Sequence, residues 1–259
     1  MSRPMRILIL GGTMEARMLA ERMAGDHTIA PILSLAGRTI HPTLPAIPYR
    51  IGGFGWIAGL IAYLKAKSID LVIDATHPFA EQMSVHAESA CRETGIPLVL
   101  FTRPPWTRCD GDRWNQVENA EAAAQMLGAI PRRVFLTVGR LQLPAFAAAP
   151  LHHFLIRTID PPEPSPTLPN YRLMLARGPF SLSDEIRLMA TEKIEILVSK
   201  NSGGAATYAK IEAARKLGIL VILMQPPARA EVPSFHNLDA ILGFIHNATH
   251  QRPPEPRGV

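Results

Sequence analysis

Cysteine is almost missing from this chain: Cys91 and Cys109 are the only two in 259 residues. Two cysteines make no disulfide framework, and neither sits at a metal-ligand spacing. Cys91 shares an expected helix face with Ala87 and Ala90 and reads as a small buried hydrophobe. Aromatic residues are scarce as well, at 6%, while 47% of the chain is hydrophobic. That balance suits helices packed on a buried sheet better than a β-sandwich. Basic runs never exceed two residues, and aromatics do not interleave with them. The formal charge of +5 therefore points to anionic partners without the footprint of a nucleic-acid binder. Apolar runs stay far below the ~20 residues that span a bilayer. Arg3 and Arg6 are followed by only four apolar residues before Gly11, so no secretory signal is read. The expectation is a cytoplasmic protein with no nucleic-acid, membrane or obligate protein partner. Metal and hydrolase chemistry find no support. His152 and His153 are adjacent and would face opposite sides of a strand, His246 and His250 lack a third ligand, and no G-x-S-x-G is present.

What the chain does have is a series of short apolar runs that end on glycine or small polar residues. Arg6–Leu10 closes on Gly11-Gly12-Thr13 and reads as a buried strand. Met14–Met23 follows with helical spacing, Met14, Met18, Leu19 and Met23 forming its apolar face, and Gly25 ends it. The alternation continues through strands at 28–35, 49–51, 71–74 and 97–101, with helices at 57–67 and 78–94. Strands alternating with helices imply βαβ units, a parallel sheet and right-handed crossovers. Residues 103–112 break the rhythm with Pro104, Pro105 and Gly111 and read as a crossing segment. Strands resume at 133–138, 153–159, 171–176, 194–199 and 220–224, with helices at 182–189 and after Gly204. The expected domains are residues 1–105 and 113–246, followed by a polar, proline-rich tail at 247–259. The halves look alike: RILILGGT resembles RVFLTVGR at 133–140, and IDLVIDAT at 69–76 resembles IEILVSKN at 194–201. Two related units account for this, and so does the general likeness of parallel sheets.

In open parallel sheets ligands bind beyond the carboxyl ends of the strands, where the strand order reverses. The residues expected there are glycine, small polar or basic, which is the make-up of a cradle for anions. In the first half they are Gly11, Gly12, Thr13, Glu15 and Ala16, then Gly37 and Arg38, Gly53 and Phe54, and Ala75, Thr76, His77 and Pro78. Set against G-x-G-x-x-G/A, the first turn keeps the first glycine, allows Ala16 in the third place and has Thr13 where the middle glycine belongs. Its hydroxyl is expected to serve a phosphate, with the helix N–H groups completing the site; a plain strand-to-helix turn would also need these glycines. Arg38 follows the second strand where an NAD-preferring fold has an acidic residue, so it suits a 2′-phosphate and NADPH. Thr76-His77-Pro78 serves either as helix punctuation or as backbone lining the nicotinamide end. Lys200, Asn201, Ser202 and Gly203 lead into a helix and serve equally as an anion site or as a cap.

Taken together, ILILGGTMEAR at 7–17, GGFG at 52–55, IDLVIDATHPFAEQMS at 69–84, LVLFTRPPW at 98–106 and VSKNSGG at 198–204 resemble the precorrin-6A reductase family of cobalamin biosynthesis. The resemblance spans most of the chain, and DATHPFA is its most specific motif. It implies an α/β fold of two Rossmann-like domains with parallel sheets and a cleft between them. It also implies NADPH as cofactor, and reduction of precorrin-6A to precorrin-6B by hydride to a ring carbon and a proton to its neighbour. Arg140, Arg177 and Lys200 are then the candidates for holding the macrocycle's carboxylates, with Asn201, Ser202 and Gly203 beside them. His77 and Lys200 are the titratable candidates for a proton donor. Two other functions fit the same residues: a non-catalytic dinucleotide-sensing module, and an NADPH reductase of a smaller acid.

Overall fold

The computed structural model describes residues 3–37, 45–229 and 231–251. The chain divides into two compact units, Met1–Arg103 with Ala228–Val259, and Pro104–Pro227. The first unit opens with β1 (Met5–Leu10), α1 (Met14–Met23), β2 (Ile29–Leu35) and β3 (Tyr49–Ile51). It continues through α2 (Trp56–Ala66), β4 (Leu71–Asp74), α3 (Glu81–Thr94) and β5 (Leu98–Phe101). The second holds β6 (Trp114–Val117), α4 (Ala120–Met126), β7 (Arg133–Thr137), a 3-10 helix (Arg140–Ala148), β8 (His153–Thr158) and β9 (Tyr171–Leu175). There follow α5 (Leu182–Thr191), β10 (Ile196–Lys200), α6 (Ala209–Lys216) and β11 (Leu220–Met224). The chain then returns to the first unit as β12 (Ser234–Phe235) and α7 (Leu238–His250). No helix among the described residues is long and apolar enough to cross a membrane.

Each unit has one six-stranded sheet, in the orders β12-β5-β4-β1-β2-β3 and β6-β11-β10-β7-β8-β9, with every pairing parallel. From β3 the first sheet runs third, second, first, fourth, fifth, the doubly wound order of dinucleotide-binding folds. From β9 the second sheet does the same. The sixth strands are exchanged. β6 follows β5 in the chain yet lies beside β11, and β12 follows β11 yet lies beside β5. The halves share this topology, and the paired segments fall on equivalent strands, β1 with β7 and β4 with β10.

The period of two along β1 sorts its side chains to two faces. Ile7 and Ile9 pack with Leu19 and Met23 of α1 and Ile241 and Ile245 of α7. Leu8 and Leu10 pack with Leu60 and Leu64 of α2 and Ala87, Ala90 and Cys91 of α3. Both faces are covered, which is why the strand reads as an unbroken apolar run. The second core joins Phe135, Leu197, Val221 and Leu223 to Met189 and Ile211.

Several expectations are corrected. In α1 the buried stripe is Ala16, Leu19, Ala20 and Met23, whereas Met14 and Met18 are exposed. Residues 228–246, read as part of the second domain, pack on the first, and α7 runs on past Asn247 to His250. Its buried residues Ile241 and Ile245 belong to the core between the first sheet and α1. The strands β6 and β12 and helix α4 were not expected. The first is an edge strand with two exposed residues in four, and the second has only two residues, so neither carries an apolar run. Ile241 is fully buried in the first core. Ile241→Ala is expected to lower stability by about 2–5 kcal/mol through lost burial and the cavity left behind, read as a drop in the melting transition.

Candidate active-site rims

In the first sheet, register brings four turns to one edge. Leu10 stands level with Ser34 on one side and Asp74 on the other, and Leu35 stands level with Ile51. The turns after β1, β2, β3 and β4 therefore leave the sheet along a common rim. Strand order reverses between β1 and β4, so Gly11–Ala16 and Ala75–Pro78 flank the switch point.

The β1–α1 turn is built by close packing. A Cβ on Gly11 would stand 2.6 Å from Leu33 Cδ1, and Gly12 has φ +113°, outside the range of ordinary side chains. A side chain at Gly12 would meet nothing within 4 Å, so the turn faces open space there. Thr13 caps α1 by accepting from Ala16 N at 3.1 Å, and its hydroxyl donates to Ala75 O at 2.7 Å. That hydroxyl links the two turns and is not left for a phosphate, contrary to the sequence expectation. What the turn offers an anion is its main chain, because the first N–H groups of a helix have no intrahelical acceptor. Ala16 is buried beneath it. Glu15 lies in the same helical turn, but Arg103 Nη1 donates to both its carboxylate oxygens, at 3.0 and 3.1 Å, and offsets its charge.

The second turn is organised by Asp74, which is buried at the end of β4. Its Oδ1 accepts from Thr76 N at 3.0 Å and Thr76 Oγ1 at 2.6 Å. Its Oδ2 accepts from Ser84 Oγ and Arg229 Nη1, both at 2.6 Å. Arg229 also donates to Ser84 Oγ, and through Nη2 to His77 O at 2.9 Å. His77 Nδ1 accepts from Phe79 N at 3.2 Å. Ala75, Thr76 and Pro78 are buried. Pro78 does not open α3. A turn closed by Ala80 N on His77 O at 2.8 Å intervenes, and the helix starts at Glu81. Burial, and secondarily the charge of Asp74, push the Cys91 thiol on α3 up to about 12, so it stays protonated.

At the far side of the rim Arg50 holds the glycine-rich turn. It donates to Ser34 Oγ, Gly52 O and Gly53 O, each at 2.8 Å, and its guanidinium lies 3.9 Å from the Phe54 ring centre. Burial raises the phenol of neighbouring Tyr63, and the Arg50 charge partly offsets this. Gly37 has φ +73°, and a Cβ there would press on Ile51 at 3.1 Å. Arg38 lies outside the described residues.

In the second sheet the reversal falls between β7 and β10, so Gly139-Arg140 and Lys200 leave adjacent strand ends. Lys200 Nζ comes 4.0 Å from the place a Cβ would take on Gly139, whose φ is +84°. Arg140 and Arg177 are exposed, with no ion pair to a described residue. Arg177 leaves β9 at the edge of the same rim. Below it the buried Arg157–Glu185 pair lies against Phe180, with the guanidinium 3.8 Å from that ring centre. Asn201, read as a ligand contact, is spent on the fold. It accepts from Trp106 N at 2.7 Å and donates to Trp106 O at 3.1 Å and Gln225 Oε1 at 3.3 Å. Gly204 O takes the Trp106 indole N–H at 2.8 Å. Ser202 is buried, Gly203 has φ +66°, and α6 begins only at Ala209, so no helix terminus sits behind Lys200–Gly204. Trp106 belongs to the crossing segment, which has no regular structure but is bound at this rim. Farther along it, Asp112 receives Arg215 Nε at 2.8 Å and holds the Arg215 guanidinium above its usual range.

A model of the family described as precorrin-6x reductase CbiJ/CobK matches residues 6–246. The chain belongs to the precorrin-6x reductase family. The precorrin-6A reductase of Rhodobacter capsulatus is 46% identical over 256 residues, 98% of this chain and 99% of that protein. The precorrin-6A reductase of Rhodococcus erythropolis is 45% identical over 240 residues, 93% and 96% of the two chains. A cobalt-precorrin-6A reductase of Priestia megaterium is 26% identical, across 94% of this chain and 99% of its own. A solved structure, CobK precorrin-6A reductase, matches with a TM-score of 0.88 and 45% identity, covering 97% of this chain and 99% of that one.

Membership in the precorrin-6x reductase family makes the chain an oxidoreductase. For a reductase of this family the sequence reading passed over Arg229, Arg50 and Arg103. Arg229 meets Asp74 across 155 positions, and no local pattern marks it. Arg50 carried a signal, a cation two residues before a glycine pair. Arg103 stood at the end of β5 in a motif already quoted. Gly11→Ala is expected to force Leu33 aside and cost about 1–3 kcal/mol as an overpacked contact, with cofactor affinity falling alongside the melting temperature.

Proposed function

We propose that the protein reduces precorrin-6A to precorrin-6B with NADPH, the first unit holding the dinucleotide and the second contributing cations for the substrate's carboxylates. The observation that carries the cofactor half is the pair of turns, Gly11–Ala16 and Ala75–Pro78, at the reversal of a doubly wound sheet. The fit is good in three respects. Gly12 leaves space at the turn, α1 presents its N-terminus, and the one carboxylate of that helical turn is neutralised by Arg103. NADPH supplies a hydride for one carbon of the conjugated ring, and the neighbouring carbon takes a proton. The chain's own work is to bind, orient and exclude water. Arg38 is assigned to the 2′-phosphate, and Gly37, Gly53 and Phe54 to the adjoining wall of the same site. Arg140 and Arg177 suit carboxylates because they are exposed cations with their forks unpaired by described residues. Lys200, beside Gly139, adds a third charge to that rim. His77 Nδ1 accepts from Phe79 N, so a proton delivered by His77 would come from Nε2, which makes that atom the candidate donor.

The purified protein, mixed with NADPH and precorrin-6A, is expected to oxidise one cofactor per macrocycle and to change the macrocycle's spectrum. NADPH binding without oxidation would return the chain to a sensing role. In the same assay Arg38→Ala is expected to raise the NADPH KM on the order of tenfold, the loss of a charge-assisted contact, and to leave NADH nearly unaffected. Lys200→Ala is expected to raise the precorrin-6A KM by a similar factor, roughly tenfold, with cofactor binding unchanged. A lower melting temperature in place of the KM effect would remove that assignment.

A further inference from the structure

Both passages of the chain between units are pinned at strand ends. In the first unit Arg103 is bound to Glu15 beside the β1 turn, and Arg229 to Asp74 at the end of β4. In the second unit Trp106 and Gln225 are both bound by Asn201 at the end of β10. Of these contacts, Arg229 does the most for the proposed site.

We propose that Arg229 is a positioning residue for the nicotinamide dinucleotide, acting through the main chain of Thr76–Pro78; this rests on the NADPH reading above. Its Nη1 meets Asp74 Oδ2 at 2.6 Å and also Ser84 Oγ, and its Nη2 meets His77 O at 2.9 Å. The carboxylate it neutralises fixes Thr76 N and Thr76 Oγ1. One guanidinium and one carboxylate thus orient two peptide groups of the turn, 75–76 through its N–H and 77–78 through its carbonyl. Thr13 carries the constraint to the first turn through Ala75 O. Both turns flanking the switch point therefore belong to one hydrogen-bonded assembly, and Arg229 holds its far end from a segment that is distant in sequence. A planar fork suits the task, because it bridges a carboxylate, a hydroxyl and a carbonyl at once. An ammonium holds the charge but is not pre-organised for all three.

The test uses the full chain, with NADPH binding measured by calorimetry and turnover measured separately. Arg229→Gln is expected to weaken NADPH binding on the order of tenfold, the scale of a binding group held out of position. At saturating NADPH the precorrin-6A KM should not move, whereas kcat should fall with the binding, because His77, the candidate donor, sits in the turn that Arg229 holds. Arg229→Lys should fall between the two proteins. Ser84→Ala removes a single hydroxyl from the assembly and should weaken NADPH in the same direction by a smaller factor. It carries the test if Arg229→Gln does not fold. Wild-type affinity in Arg229→Gln, or a lowered melting temperature with affinity intact, overturns the positioning role. If Arg229→Gln is insoluble, unchanged affinity in Ser84→Ala overturns it. Failure of the wild type itself to bind NADPH would overturn the cofactor reading and this role with it; normal wild-type binding with unaltered variants sinks this role alone.

Discussion

A carboxylate taken out of water has to be met by donors, and Asp74 is met by four: the Thr76 N–H, the Thr76 and Ser84 hydroxyls and the Arg229 guanidinium. The requirement is strict, because a buried charge that loses its partner costs on the order of 3–5 kcal/mol. It dictates where the turn after β4 goes, and through Thr13 where the turn after β1 goes. It also ties the returning segment to the first sheet just before β12 adds to the edge. The dinucleotide-type rim and the closure of the first unit therefore depend on the same ionised group.

In each unit negative charge is cancelled by the scaffold, and in the second positive charge is left at the surface. Glu15 and Asp74 are matched by Arg103 and Arg229, and in the second unit Glu185 is matched by Arg157. Arg140 and Arg177 stay exposed at strand ends. A net charge of +5 says little by itself; its placement is what favours a polyanionic ligand.

Most of the fold was legible because buried parallel strands are apolar on both sides and stop at glycines, so β1, β4, β7 and β11 stand out as runs. The repeat between halves was legible for the same reason. Edge strands were not, since β6 and β12 are held by main-chain pairing and need no apolar run. Of the candidate site, the turns were read as following strand ends, and they do. The side chains that brace them were missed, because Arg229–Asp74 and Trp106–Asn201 are made between distant segments and have no period to detect. Asn201 shows the opposite error: a polar residue in a glycine-rich loop looks like a ligand contact and is instead a clamp.

The exchanged sixth strands bear on how the chain is made. As it leaves the ribosome, β1–β5 emerge first, but the edge beside β5 and the apolar bed for α7 stay bare until residues 104–227 have followed. The early half must wait, partly assembled, with a sheet edge of the kind that invites pairing with other chains. The second sheet, whose edge strand β6 is synthesised ahead of the rest, has no such delay. In chain order, therefore, the residues of the second unit are all present before those of the first.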